Sequence, residues 1–132
     1  MKRHIVAVYG TLRQGQGNFK RLLTDSNVIF SGGLTKDKFT LRVSGIPFLT
    51  KEPTHRVVVD LMKVNDRELE CLDRLEGHPH WYKREQVDVV SPSGEKYTAW
   101  IYFFPNSTAP FDSRVNDFVK AKNAHARSLA NV

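Results

Sequence analysis

The sequence is poor in several features, and each shortage closes off a class of protein. Its single cysteine, Cys71, cannot form an internal disulfide, which argues against a disulfide-held scaffold and fits a reducing compartment, so the expected location is the cytoplasm. Cys71 sits on an apolar-periodic stretch with no base placed beside it, and reads as a small core residue rather than a nucleophile. No apolar run approaches the roughly 20 residues that a membrane-spanning helix needs, so no membrane association is expected. The basic start Met1-Lys2-Arg3-His4 leads into too short an apolar stretch for a signal peptide and has no small-residue cleavage site. Neither a Walker pattern nor GxGxxG occurs, and no repeat or low-complexity tract is visible. Metal ligands are also scarce. His78 and His80, with Glu76 or Cys71, form the one suggestive cluster, whereas a structural zinc site wants four ligands at recognisable spacings; histidines on a prolyl turn are the simpler reading, and no metal is expected.

What is present fits one ordinary domain spanning 1–132. The chain is 40% hydrophobic and 26% charged, enough to bury a core without metal or disulfide help. Twenty Lys and Arg against fourteen Asp and Glu give a formal +6, which in principle favours anionic partners. The basic residues are scattered as pairs (Lys2-Arg3, Lys20-Arg21, Lys83-Arg84) and no nucleic-acid-binding signature accompanies them, so a solvated basic surface with no specific nucleic-acid partner is expected.

The most informative stretch runs from Val6 to Asn18. Ile5 to Val8 form the short apolar run of a strand covered on both faces, and Tyr9-Gly10-Thr11-Leu12-Arg13 then opens a glycine-punctuated loop. Amides left unpaired at Gly10, Thr11 and Leu12 would suit a carboxylate or an oxyanion; a plain strand-to-helix turn is the other reading. Asn18 is expected to cap a short helix over Phe19 to Leu23. Strands dominate thereafter. Val28-Ile29-Phe30 is expected to break at Gly32-Gly33, Phe39 to Val43 to turn through Ser44-Gly45-Ile46-Pro47 into Phe48-Leu49-Thr50, and Arg56 to Val64 to form the longest β-branched run. Glu85 to Val90 and Tyr97 to Phe104, joined by Ser91-Pro92-Ser93-Gly94, read as a hairpin. Short strands at this spacing suggest a barrel or a tightly curled sheet. Beyond Pro105 the composition shifts, and 105–132 reads as a variable segment with weak helical character from Asp112 to Leu129.

One helix is signalled at both ends. Asn65 is an N-cap with Glu68 three residues on, and Gly77 followed by Pro79 stops the helix after Glu76. At about 100° per residue, Leu69, Leu72 and Leu75 make an apolar arc, and Glu76 falls inside it. Asp66, Arg67, Glu70, Asp73 and Arg74 lie off the arc, with Glu70 and Arg74 in the i, i+4 order of a solvent face. A carboxylate on the core side at a helix C-terminus has two reasons for a raised pKa, desolvation and the negative end of the macrodipole, which suits a general base. The alternative is a glutamate that snorkels outward or pairs with an arginine such as Arg84.

Together these residues resemble a known family. Tyr9-Gly10-Thr11-Leu12-Arg13 with Gly15 and Asn18, the Gly45-Ile46-Pro47 turn, and Leu72-Asp73-Arg74-Leu75-Glu76-Gly77 followed by Tyr82 and Arg84 are similar to the γ-glutamylcyclotransferase-like family, closest to its γ-glutamylamine cyclotransferase (AIG2-like) branch. The resemblance spans about residues 4 to 104. It implies an α+β fold, a small mixed β-barrel with flanking helices. It also implies a substrate site at Tyr9, Gly10, Thr11, Leu12 and Tyr82, and Glu76 as the catalytic proton acceptor. The implied reaction forms 5-oxoproline from a small γ-glutamyl substrate without cofactor or metal. Two other classes stay open: a binding module using the same pocket without turnover, and a basic nucleic-acid-binding barrel with Trp81, Tyr82 and Trp100 as stacking platforms.

Overall fold

A computed structural model describes residues 3–44, 46–104 and 114–115 of the chain. Among these residues there are six strands, β1 (Arg3–Val8), β2 (Val28–Ser44), β3 (Ile46–Asn65), β4 (Lys83–Val90), β5 (Lys96–Phe103) and β6 (Arg114–Val115). Two α-helices, α1 (Gly17–Leu22) and α2 (Asp66–Glu76), and a short 3-10 turn, Asp25–Asn27, complete the set. The sheet runs in the order β3-β1-β5-β4-β2-β6, and β2 pairs back onto β3, so the five long strands form a closed circuit. The β1–β5 contact is parallel and the others are antiparallel, which makes the architecture a mixed α+β one with a barrel-like sheet.

Closure depends on the length and irregularity of β2 and β3. Leu34 of β2 pairs with both Val58 of β3 and Val90 of β4, so β2 bridges two neighbours at one point. The strand reaches them through register shifts between Phe30 and Gly33 and between Leu34 and Lys38. Such bulges bend a strand and increase its twist, as a small closed sheet requires. Gly32-Gly33 therefore does not end the strand, as sequence alone suggested. It bends the strand instead. At Gly33 the approach is so close that a Cβ would lie 2.2 Å from the Phe30 ring and 2.6 Å from the Val90 carbonyl oxygen.

Alternation along each strand feeds two cores. Ala7, Tyr9, Val57, Val59, Leu61, Ile101 and Phe103 pack on one side. Val6, Val8, Met62, Val64 and Tyr102 point to the other, where Phe19 of α1 and Leu69 and Leu72 of α2 cover them. Both faces of β1 are thus buried, which is why its sequence is a continuous apolar run rather than an alternating one.

Two further expectations change. The N-cap of α1 is Gln16 rather than Asn18, and no side chain caps that end; Asn18 lies inside the helix and donates to Thr11. Arg114–Val115, within the stretch read as weakly helical, forms a short strand against Leu41 and Arg42, because β2 offers an edge there. The rest of 105–132 and Gly45 of the expected turn lie outside the described residues, while Ser44 and Ile46 pair directly across that turn. Among the described residues no helix is long and apolar enough to cross a membrane.

The bulge can be tested against a glycine with room around it. Gly33→Ala is expected to cost about 1–3 kcal/mol, because backbone and a packed ring must move. Gly17→Ala, where nothing lies within 4 Å of the new Cβ, is expected to be neutral or slightly stabilising. Urea midpoints at unchanged m-value measure both, and equal midpoints would show that the bulge yields freely.

Candidate active site

The loop after β1 is fastened from below by one buried side chain. Asp60, in the C-terminal half of β3 and 1% exposed, accepts from the Gln14 amide at 2.8 Å and meets the Arg13 guanidinium at 3.2 Å. The same carboxylate takes the Ser31 hydroxyl at 2.8 Å and the Gly32 amide at 2.9 Å, both from the bulged part of β2. Further along, the Phe19 amide donates to the Thr11 carbonyl and Asn18 Nδ2 to Thr11 Oγ1 at 2.7 Å, so the helix that follows grips the loop as well. Arg13 N closes a turn onto the Gly10 carbonyl. Within this frame the amides of Gly10, Thr11 and Leu12 have no acceptor among the described residues. A rigid loop with free successive amides presents partial positive charge without needing a lysine or arginine. Leu12 anchors its apolar end in the core beneath α1 and α2. Tyr9 is buried, and its hydroxyl donates to the Tyr102 carbonyl at 2.8 Å, tying the loop to β5.

Helix α2 delivers the acid. Its start is fixed by the reciprocal cap of Asn65 and Glu68, with bonds of 2.8 and 2.9 Å, and its boundaries fall where the sequence placed them. Gly77 ends it at φ 68°, a left-handed conformation natural to glycine, and a Cβ there would lie 3.0 Å from Trp81 Cβ. The chain then folds back, with the Tyr82 amide on the Glu76 carbonyl at 3.1 Å, so Tyr82 returns beside the acid.

Burial raises the pKa of Glu76 from its ordinary value to about 7. Its carboxylate makes no ion pair or hydrogen bond among the described residues. Its charge is felt by three phenols. Burial and then Glu76 push Tyr9 and Tyr82 upward, and Tyr102 is raised by burial, by Asp73 and by Glu76. Glu76, Tyr9, Tyr82 and Tyr102 are therefore close neighbours, drawn from α2, the loop after β1, the approach to β4, and β5.

The partners differ from those expected in one respect. Arg84 binds Asp73, with Nε on Oδ1 at 2.8 Å and a second contact to Oδ2 at 3.2 Å, and does not pair with Glu76. Asp73, placed off the apolar arc and hence on the solvent face, is half-buried and also accepts the Tyr102 hydroxyl at 2.7 Å. The reason is tertiary: β4 and β5 cover the C-terminal turn of α2 over a wider arc than its leucines mark. Glu70 and Arg74 do form the exposed i, i+4 pair, at 3.6 Å. Sequence alone gave Asp73 no role beyond membership of the Leu72–Gly77 motif and did not single out Tyr102. The alternation of Trp100, Tyr102 and Phe104 with Ala99, Ile101 and Phe103 was the available signal, since it puts Tyr102 on the helix-covered face.

The other candidates are accounted for. His78 Nδ1 accepts the Arg84 amide at 3.2 Å while His80 is exposed, and Cys71 is partly buried. Among the described residues no three His, Cys, Asp or Glu side chains are grouped so as to hold a metal ion. Trp81, Tyr82 and Trp100 do not make one stacking surface: Tyr82 is buried against Phe104, Arg84 covers the Trp100 ring at 4.3 Å, and Trp81 stands exposed at 64%.

Comparison with known proteins finds a consistent set of similar sequences and folds. The family model described as gamma-glutamyl cyclotransferase, AIG2-like, matches residues 6–121. A provisionally named gamma-glutamylcyclotransferase of Methanocaldococcus jannaschii is 38% identical over 103 residues, covering 77% of this chain and 85% of that protein. Gamma-glutamylaminecyclotransferase B of Danio rerio is 36% identical over 101 residues, covering 69% of this chain and 53% of that protein. The crystal structure of an AIG2-like protein from Mus musculus superposes with a TM-score of 0.77 at 29% identity, over 89% of each chain.

The raised pKa of Glu76 has a direct consequence for stability. An acid whose folded pKa lies above its unfolded one binds more proton when native, so it makes stability fall as pH rises from about 4.5 through about 7. The full span is on the order of 3 kcal/mol, from 1.36 kcal/mol per pKa unit. Glu76→Gln removes this dependence. The variant is therefore expected to gain stability over the parent between these pH values and to hold a constant margin above about pH 8. Denaturant titrations at several pH values measure the margin, and one that stays flat across the range would rule out a desolvated carboxylate.

Proposed function

The chain belongs to the AIG2-like gamma-glutamyl cyclotransferase family of enzymes, and from that premise we propose that it converts a γ-glutamyl amine or γ-glutamyl amino acid to 5-oxoproline, with Glu76 as general acid and base. The observation that carries this reading is a partly buried glutamate, without an ion-pair partner among the described residues, whose pKa of about 7 lets it both take and return a proton at neutral pH.

The chemistry needs little more. In a γ-glutamyl compound the α-amine can reach its own γ-carbonyl and close a five-membered ring, so the nucleophile is already tethered. Effective molarities for such closures reach about 10⁵ M or more. Glu76 takes a proton from the α-ammonium, and the freed amine forms a bond to the γ-carbon. The resulting oxyanion requires donors, and the amides of Gly10, Thr11 and Leu12 are the ones this loop holds ready. Collapse of the intermediate breaks the bond to the departing nitrogen, to which the protonated Glu76 gives its proton. The ring nitrogen gives up its second proton to the released amine as the lactam forms, so the products are 5-oxoproline and the amine in its ammonium form, and Glu76 returns to its starting carboxylate. Tyr82 closes the site beside the acid. Tyr9 acts through its backbone and as a strut, since its hydroxyl is committed to the Tyr102 carbonyl.

A panel of γ-glutamyl amines and γ-glutamyl dipeptides, assayed for 5-oxoproline, tests the reaction and reads out the preferred leaving group. For the wild-type chain kcat/KM is expected to rise with pH along a limb centred near 7, as Glu76 loses its proton. Glu76→Gln is expected to lower kcat by about 10²–10⁴-fold while KM moves much less, because the loop amides are untouched. Cyclisation retained by a folded Glu76→Gln variant would remove the residue from the mechanism. Activity lost together with a collapsed melting temperature would instead mark it as structural.

A further inference from the structure

The acid that does the proposed work stands beside a cation it does not touch. Asp73 lies one turn before Glu76 on α2, and side chains three residues apart on a helix are neighbours, with Cβ atoms roughly 5–6 Å apart. Arg84 comes from β4 and lays two nitrogens on Asp73, at 2.8 and 3.2 Å. Tyr102 comes from β5 and donates its hydroxyl to the same Asp73 Oδ1 at 2.7 Å. The rest of Arg84 is held too, its guanidinium over the Trp100 ring and its amide on His78 Nδ1. Tyr102 senses the charges of Asp73, Glu76 and Arg84 alike, so the cation, the phenol and both carboxylates occupy one small region.

We propose that Asp73 is a positioning residue: by engaging the Arg84 guanidinium and the Tyr102 hydroxyl, it keeps both off Glu76 and leaves that carboxylate without an ion-pair partner, able to meet the substrate's ammonium group. The proposal builds on Glu76 as the base. An arginine resting on Glu76 would favour the anion, weaken it as a base and compete with the substrate's own positive charge. A phenol donating to it would do the same to a smaller degree. Asp73 prevents both because its two oxygens match the fork of the guanidinium, and Oδ1 has capacity left for the hydroxyl.

The titratable groups around Glu76 come from every neighbouring element. They are Asp73 on its own helix, Tyr9 in the loop after β1, Tyr82 before β4, Arg84 on β4 and Tyr102 on β5. The His78 ring packs edge-on against Tyr102, 6.5 Å between centroids. The three tyrosines are pushed upward and stay neutral through the working range. Burial alone sets the shift of Glu76, so Asp73 and Arg84, paired with each other, leave it no net charge bias, and removing either one would introduce a bias of opposite sign.

That opposition supplies the test. Carboxyl carbon NMR on the full ¹³C-labelled chain follows the Glu76 titration directly, with its resonance assigned by its absence in Glu76→Gln. Asp73→Asn frees the cation and is expected to lower the Glu76 midpoint by about one pH unit or more, whereas Arg84→Gln leaves Asp73 uncompensated and is expected to raise it. The acidic limb of kcat/KM should move the same way in each variant. If Asp73 and Arg84 form only a structural brace, both variants lose melting temperature while the Glu76 midpoint stays put or shifts in one common direction, and the proposal is overturned. Should Asp73→Asn not fold, the upward shift in Arg84→Gln decides alone, since loss of a brace gives no reason for it. Retained 5-oxoproline formation in Glu76→Gln would refute the assigned base, yet the NMR midpoints would still decide the role of Asp73.

Discussion

A carboxylate placed where a strand would ordinarily carry an apolar side chain organises much of this molecule. Asp60 sits in β3 with almost no access to water, and an isolated charge there would be prohibitively unfavourable. It is tolerated because four groups converge on it: the Arg13 guanidinium, the Gln14 amide, the Ser31 hydroxyl and the Gly32 amide. Two of these belong to the loop after β1 and two to the bulge in β2. The requirement to satisfy one buried anion thus couples the glycine-punctuated loop to the irregularity that lets the sheet close. The register shift after Phe30 frees the Gly32 amide from the strand ladder, and Asp60 gives that amide an acceptor. A buried ion pair by itself is weak evidence for stability. Here the ring of donors gives geometric definition, which a loop that presents three bare amides needs.

The contrast among Asp60, Asp73 and Glu76 is where structure turns into chemistry. Asp60 is surrounded by donors from two chain segments, and Asp73 is shared between an arginine and a tyrosine. Glu76 lies near Tyr9, Tyr82 and Tyr102 and among the described residues receives no cation, so desolvation raises its proton affinity. An acid without compensation costs stability at neutral pH, and such a cost is the usual mark of a group kept for function. The folding of the chain after Gly77, which sets Tyr82 back against the acid, and the embrace of Arg84 by Asp73 enforce that condition from opposite sides.

Local signals determined the elements that are controlled locally. The Asn65–Glu68 cap and the glycine at position 77 fixed both ends of α2, its periodicity put Glu76 on the covered side, and the unbroken run from Ile5 to Val8 announced a strand buried on both faces. The Tyr9–Arg13 and Leu72–Gly77 motifs carried the resemblance to the family, because both are contiguous segments whose identity does not depend on what packs against them. Tertiary contacts decided the rest. The break at Gly32-Gly33 became a bend because β3 and β4 both required β2 as a neighbour. Asn18 left the cap for a bond to Thr11, which lies across the loop rather than beside it in the helix. Asp73 passed from the solvent side to a junction because β4 and β5 arrive over the last turn of α2, and helical periodicity reports the direction of a side chain without reporting how wide an arc the sheet will cover. Which of the neighbouring acids keeps a partner is fixed only when Arg84, eight residues beyond the helix, chooses one of them in three dimensions.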